Sequence, residues 1–113
     1  MKVRVANEEI AAEIDRMVRR IVEKFEPAKI ILFGSHASGS AGPDSDVDLL
    51  VVMPVEGSRR RKATEIDVAL VDRELPLDLI VVTPEQFERG RGQIGSIIRP
   101  AALEGRVLYD RTA

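Results

Sequence analysis

The chain has 113 residues, is 44% apolar and 32% charged, and carries a net charge of −2. This is the profile of one globular domain spanning residues 1–113, with a single core and no room for a separate substrate domain. The near-neutral charge gives no overall basic signature for nucleic acid, the absence of cysteine excludes disulfides and thiolate metal sites, and the lone His36 speaks against zinc. No apolar run approaches the ~18 residues of a membrane span, and the N-terminal sequence lacks an apolar leader core. A cytoplasmic protein is the expectation.

Asn7 is expected to cap a helix whose first turn holds Glu8 and Glu9. Ile10, Ile14, Met17, Val18, Ile21, Val22 and Phe25 then recur at helical spacing. Glu13, Arg16, Arg20, Glu23 and Lys24 mark the opposite face, read as solvent-facing, and the helix closes before Pro27. Lys29 to Phe33 is a short apolar strand ending at Gly34. Ser35 to Ser45 is a loop of small and polar residues. Asp46 to Met53 is a second strand, apolar on both faces after Asp48, as in a strand covered from both sides.

Pro54 to Arg61 is expected as a loop holding the start of the basic run Arg59 to Lys62, with a helix from Ala63 to Val71. The basic run is read as a solvated helix entry. Leu77 to Val82 is a third strand, with Asp78 near its start. Thr83, Pro84 and Glu85 form a helix start. That helix is expected to reach about Phe87 before the glycine-rich Gly90 to Gly92. Ile94 to Leu103 reads as a helix that Pro100 can interrupt, and Arg106 to Tyr109 as an edge-type strand with Tyr109 in the core. The first two strands are joined by only about a dozen residues, too few for a helical crossover. They are expected to be antiparallel or adjacent in a mixed sheet covered by helices, an α/β (α+β) architecture.

The chemistry concentrates at Asp46 and Asp48. Side chains two apart on a strand share a face, so both carboxylates project together, with Val47 and Leu49 on the other side. Asp78 is the best third oxygen donor, because a carboxylate inside an apolar run is costly to bury unless it is paired or metal-bound. Such a set, with substrate phosphates, can hold two Mg²⁺ ions and place Asp78 to accept a proton. The Gly34–Ser35 turn offers backbone N–H groups and a hydroxyl to a polyphosphate. Rival patterns fit poorly. Asp44, Asp46 and Asp48 mimic the start of an EF-hand loop, but Leu49 and Val55 stand where it needs glycine and glutamate. Gly34 and Gly39 have P-loop spacing, but Ser40 and Ala41 replace its lysine and hydroxyl residue. In haloacid-type phosphatases the Asp-x-Asp follows its strand, whereas here the strand follows the aspartates.

Gly34-Ser35, Ser45-Asp46-Val47-Asp48-Leu49 and the later Asp78 resemble the polymerase-beta-like nucleotidyltransferases, and among them the minimal nucleotidyltransferase (MNT) group. The likeness runs from Lys29 to about Tyr109. It implies a nucleotidyltransferase fold that uses Mg²⁺ and ATP, with Asp46 and Asp48 as metal ligands, Asp78 as third ligand and base, and Gly34 and Ser35 at the nucleotide. Members are commonly antitoxins paired with a helical HEPN-type toxin, and some transfer AMP to a toxin tyrosine. One departure is Ser38, where relatives often carry an arginine that faces phosphate. The expected function is AMP transfer to a hydroxyl of a partner protein, with self-association as another way to close a small open cleft. Two other functions fit the same chain: a non-catalytic module that masks its partner, and a nucleotidyltransferase acting on a small-molecule hydroxyl.

Overall fold

A computed structural model describes residues 7–42 and 44–112. The N-terminal residues used above to argue against a leader, the side chain of Asn7 and Pro43 lie outside that description. The elements are α1 (Asn7–Phe25), β1 (Lys29–Phe33), α2 (Ser35–Ser38), β2 (Val47–Val52), α3 (Arg59–Ala69), β3 (Leu77–Val82), α4 (Pro84–Arg91), α5 (Ile98–Glu104) and β4 (Arg106–Asp110). The sheet order is β3-β2-β1-β4. β1 runs antiparallel to both β2 and β4, while β2 and β3 are parallel. The mixed sheet expected from the short first connection is therefore present.

Strand alternation splits the interior into two cores. Ile30, Leu32, Val47, Leu49, Val51 and Val81 face α1 and α3, meeting Ile14, Met17, Val18, Ile21, Ile66 and Leu70. Ile31, Leu50, Val52 and Val82 face α4 and α5, meeting Phe87, Ile98 and Ala101. Helices thus cover both faces of the sheet. Tyr109, in the outer strand, packs half-buried against the α1-side core. Among the described residues no helix is long and apolar enough to cross a membrane.

Several boundaries differ from the sequence reading. Ser35–Ser38 forms one helical turn rather than loop. α3 begins four residues before Ala63, because Ser58 accepts a hydrogen bond from Arg61 N–H and caps it; the basic run is the first turn of a helix. α4 starts with the expected proline and a full Thr83–Gln86 capping box, but continues to Arg91. Gly90 lies inside it, and a Cβ there would come within 2.6 Å of Ile98 Cδ1, so this glycine serves close helix packing rather than a turn. Ile94 is exposed outside any helix, beside Gly95 with φ 88°. α5 begins only at Ile98, which leaves Pro100 within the first turn, where no backbone donor is required.

The largest departure concerns Glu13, which faces the interior rather than solvent and is 8% exposed. Arg16 grips both of its oxygens, Nε to Oε1 at 2.7 Å and Nη2 to Oε2 at 2.9 Å. The Glu74 N–H donates to Oε2 at 2.7 Å. Arg16 and Arg20 also bind Asp72, at 3.2 and 3.1 Å. This clasp ties α1 to the α3–β3 connection, and the Arg16 guanidinium holds the Glu13 carboxyl below the usual carboxylate range despite its burial.

Candidate active site

The acidic residues converge at one end of the sheet. Asp48 on β2 is the register partner of Asp78 on β3 and, on the other side, of Phe33 at the end of β1. Parity puts Asp48 and Asp78 on the α4/α5 face, beyond the last apolar residues of that core, Leu50 and Ile80. Asp46 immediately precedes β2, on the same side by alternation. Asp46 and Asp78 are exposed and Asp48 is half-buried.

None of the three carboxylates has a side-chain hydrogen bond or ion pair among the described residues. Burial, together with the charges of Asp78 and Asp46, raises the Asp48 carboxyl above its ordinary range; His36 offsets this only in part. As the side chains stand, no three acidic or imidazole groups among the described residues are close enough to hold a metal ion on their own.

The Gly34 turn abuts this cluster. Gly34 has φ 73° and ψ −154°, a backbone state that strains other residues, and it directly precedes α2. A Cβ on Gly34 would overlap the Asp48 carboxylate. Glycine is thus required twice, by the backbone and by the carboxylate behind it. The first N–H groups of α2, at Ser35 and His36, have no partner within so short a helix. His36 Nε2 lies 3.1 Å from the Ser45 carbonyl oxygen, which ties the turn to the segment entering Asp46. Gly42 N–H donates to Ser45 Oγ at 2.8 Å and closes the intervening loop. The structure therefore brings together all five residues singled out from the sequence, Gly34, Ser35, Asp46, Asp48 and Asp78.

Two features were not anticipated. Phe33 flanks Asp48 and walls the carboxylate end of the sheet. Its signal was present, since it ends an apolar strand beside the Gly-Ser turn. The second is a cavity of about 450 Å³ on the α1 side, lined by Ile10, Ile14, Val18, Leu32 and Leu108 with His36 and Arg106 at its polar part. It contains none of the three aspartates. The carboxylates lie outside it, and His36 borders both.

Known proteins share the fold. The nucleotidyltransferase domain family model matches residues 14–108. A candidate nucleotidyltransferase from Sulfolobus solfataricus superposes with a TM-score of 0.67 at 16% identity, over 99% of this chain and 92% of that one. A toxin–antitoxin complex with AMP-PNP gives 0.55 at 20% identity, over 85% and 73%. The toxin–antitoxin pair MntA-HpeT, in a variant with two aspartates two residues apart changed to glutamate, gives 0.58 at 17% identity, over 85% and 72%. Among curated proteins, none matches the sequence. At these identities the structural likeness speaks to the fold, whereas the family match covers most of the sequence, Asp46, Asp48 and Asp78 included: the chain belongs to the nucleotidyltransferase domain family.

Proposed function

We propose that this chain transfers AMP from ATP to a hydroxyl of a partner protein, and that the partner is a HEPN-type toxin for which it is the antitoxin. The observation that carries the reading is the pairing of Asp48 with Asp78 on one face, next to Asp46 and the Gly34 turn, with a repulsion at Asp48 that His36 offsets only in part. The toxin–antitoxin neighbours support the choice of partner.

The residues fit Mg²⁺ bound together with nucleotide. Mg²⁺ is usually held by one or two carboxylates plus substrate phosphates rather than by an all-protein cage. Hard oxygen donors whose mutual repulsion is only partly offset, and which form no three-ligand cage alone, match that requirement. Asp46, Asp48 and Asp78 would hold two ions, which when bound would lower the pKa of the acceptor hydroxyl and neutralise phosphate charge. The Gly34–Ser35 turn binds and orients the triphosphate through its N–H groups and the Ser35 hydroxyl. The acceptor oxygen bonds to the α-phosphorus while the bond from that phosphorus to the bridging oxygen breaks. Pyrophosphate leaves, and the hydroxyl proton passes to an Asp78 oxygen.

The test is to incubate the chain with ATP, Mg²⁺ and the protein encoded by the adjacent gene, then weigh both by intact-mass spectrometry. Added AMP on the partner, lost with Asp46→Asn/Asp48→Asn, is the expected result. A stable complex with no added mass would overturn transfer and leave masking as the function.

A further inference from the structure

We infer that His36 is a positioning residue of the site: by donating from Nε2 to the Ser45 carbonyl oxygen, it fixes the direction of the Asp46 carboxylate relative to the Gly34 turn. This rests on the transfer reading above and adds to it the group that joins the nucleotide half of the site to its acidic half.

The chain between those halves folds as two closed units. In the first, Ser40 N–H donates to the Ser35 carbonyl oxygen at 3.1 Å, and Ser38 Oγ donates to the same oxygen at 3.2 Å. In the second, Gly42 N–H donates to Ser45 Oγ at 2.8 Å, and Ser45 N–H donates to the Gly42 carbonyl at 3.2 Å. Among the described residues one hydrogen bond joins the units, that of His36 Nε2 with the Ser45 carbonyl at 3.1 Å. A carbonyl oxygen can only accept, so Nε2 carries the proton.

Asp46 depends on that bond. It stands outside both ladders, since β1 pairs no further than Asp48 and β3 no further than Val47, and its side chain is exposed. The direction of such a side chain is set by the two rigid peptide groups that flank its Cα. On one side the Val47 N–H donates to the Pro76 carbonyl at 2.8 Å, which holds that peptide against the segment entering β3. On the other side the peptide oxygen is that of Ser45, and His36 holds it.

His36 is itself well placed to act as an anchor. It is half-buried in α2, two residues after Gly34, and lines the α1-side cavity with Leu32 and Ala41. The same imidazole partly offsets the repulsion at Asp48, so it stands within electrostatic reach of the β2 carboxylates. Groups that orient a metal ligand through a hydrogen bond, without touching the metal, change affinity about tenfold to a hundredfold when removed.

The test is a double-mutant cycle on the chain alone, read by calorimetry as the Kd of the Mg²⁺ complex of α,β-methylene-ATP. His36→Phe keeps a ring against the cavity and removes the donor, whereas His36→Gln keeps an N–H donor of similar reach. Each is measured with Asp46 and with Asp46→Asn. We expect His36→Phe to weaken binding about tenfold with Asp46 present and less than about twofold with Asp46→Asn. His36→Gln should stay within about threefold of the parent. An equal loss in both backgrounds, or a loss that His36→Gln shares in full, would overturn positioning through Asp46. AMP transfer to the protein encoded by the adjacent gene, followed in parallel, keeps the two readings apart. If the cycle shows the coupling and no AMP is transferred, positioning stands and transfer to that protein falls. If AMP is transferred and the cycle shows no coupling, positioning is overturned and the transfer reading stands. A parent chain that binds no Mg²⁺-nucleotide overturns both. Should His36→Phe fail to fold, His36→Leu takes its place in the cycle.

Discussion

Two carboxylates set back from open solvent show how the same group serves opposite ends. Glu13 is buried and complete: Arg16 holds both oxygens, the Glu74 N–H fills another lone pair, and the acid is driven towards its charged form. Asp48 is half-buried and incomplete: no side chain among the described residues bonds to it, two like charges stand beside it, and it is pushed towards its neutral form. An acid whose partners are all internal is a structural element. An acid whose missing partner must come from outside is where a cation and an anionic substrate are expected.

Breaking the incomplete side has the largest effect. Asp46→Asn/Asp48→Asn is expected to lower transfer by about 10³-fold or more, yet calorimetry should find its melting temperature undiminished, because the change removes repulsion and no hydrogen bond. A clear loss of stability would mean that the pair is structural after all. Gly34→Ala comes next. The added methyl overlaps the Asp48 carboxylate and the backbone φ is positive, so transfer should fall about tenfold to a hundredfold, with about 1 kcal/mol of stability lost. Wild-type kinetics from this variant would remove the turn from the site.

On the complete side, Glu13→Ala should cost about 2 kcal/mol in urea titration, since it strands the Arg16 fork and the Glu74 N–H, while folded molecules keep their transfer rate. Its pH signature has a definite sign. The native pKa lies below the ordinary 4.5, so the native state binds fewer protons than the unfolded chain. The stabilisation is full above that ordinary value and is lost as pH falls through the lower native one. The variant should therefore show a flatter acid limb. Equal slopes would separate Glu13 from acid unfolding.

The sequence spoke clearly where its signals were local. The amphipathic stripe of α1, the apolar β3, the Thr83 cap and the aspartates at the entry of β2 all depend on neighbours within a few residues, and all stand where expected. Glu13 reads as solvent-facing by helical spacing, because the N–H that it accepts from lies 61 residues away. Arg59 to Arg61 read as loop because the basic run has no apolar rhythm, although Ser58 caps the helix that it opens. Gly90 reads as punctuation in the sequence, whereas the approach of Ile98 and Ser96 explains it. The short first connection led to the correct strand directions, but the alignment of Asp48 with Asp78 depends on the β2–β3 register, which no local pattern encodes.

That register also bears on how the molecule assembles. Asp46 and Asp48 arrive with the antiparallel β1–β2 pair, whose contacts are close in sequence. Asp78 joins only when the chain has passed through α3 and closed the parallel β2–β3 ladder, a long-range step that is entropically slower than pairing across a short loop. A nascent or partly folded chain therefore carries two of the three acids and not the third. The site comes into being only when that parallel ladder closes.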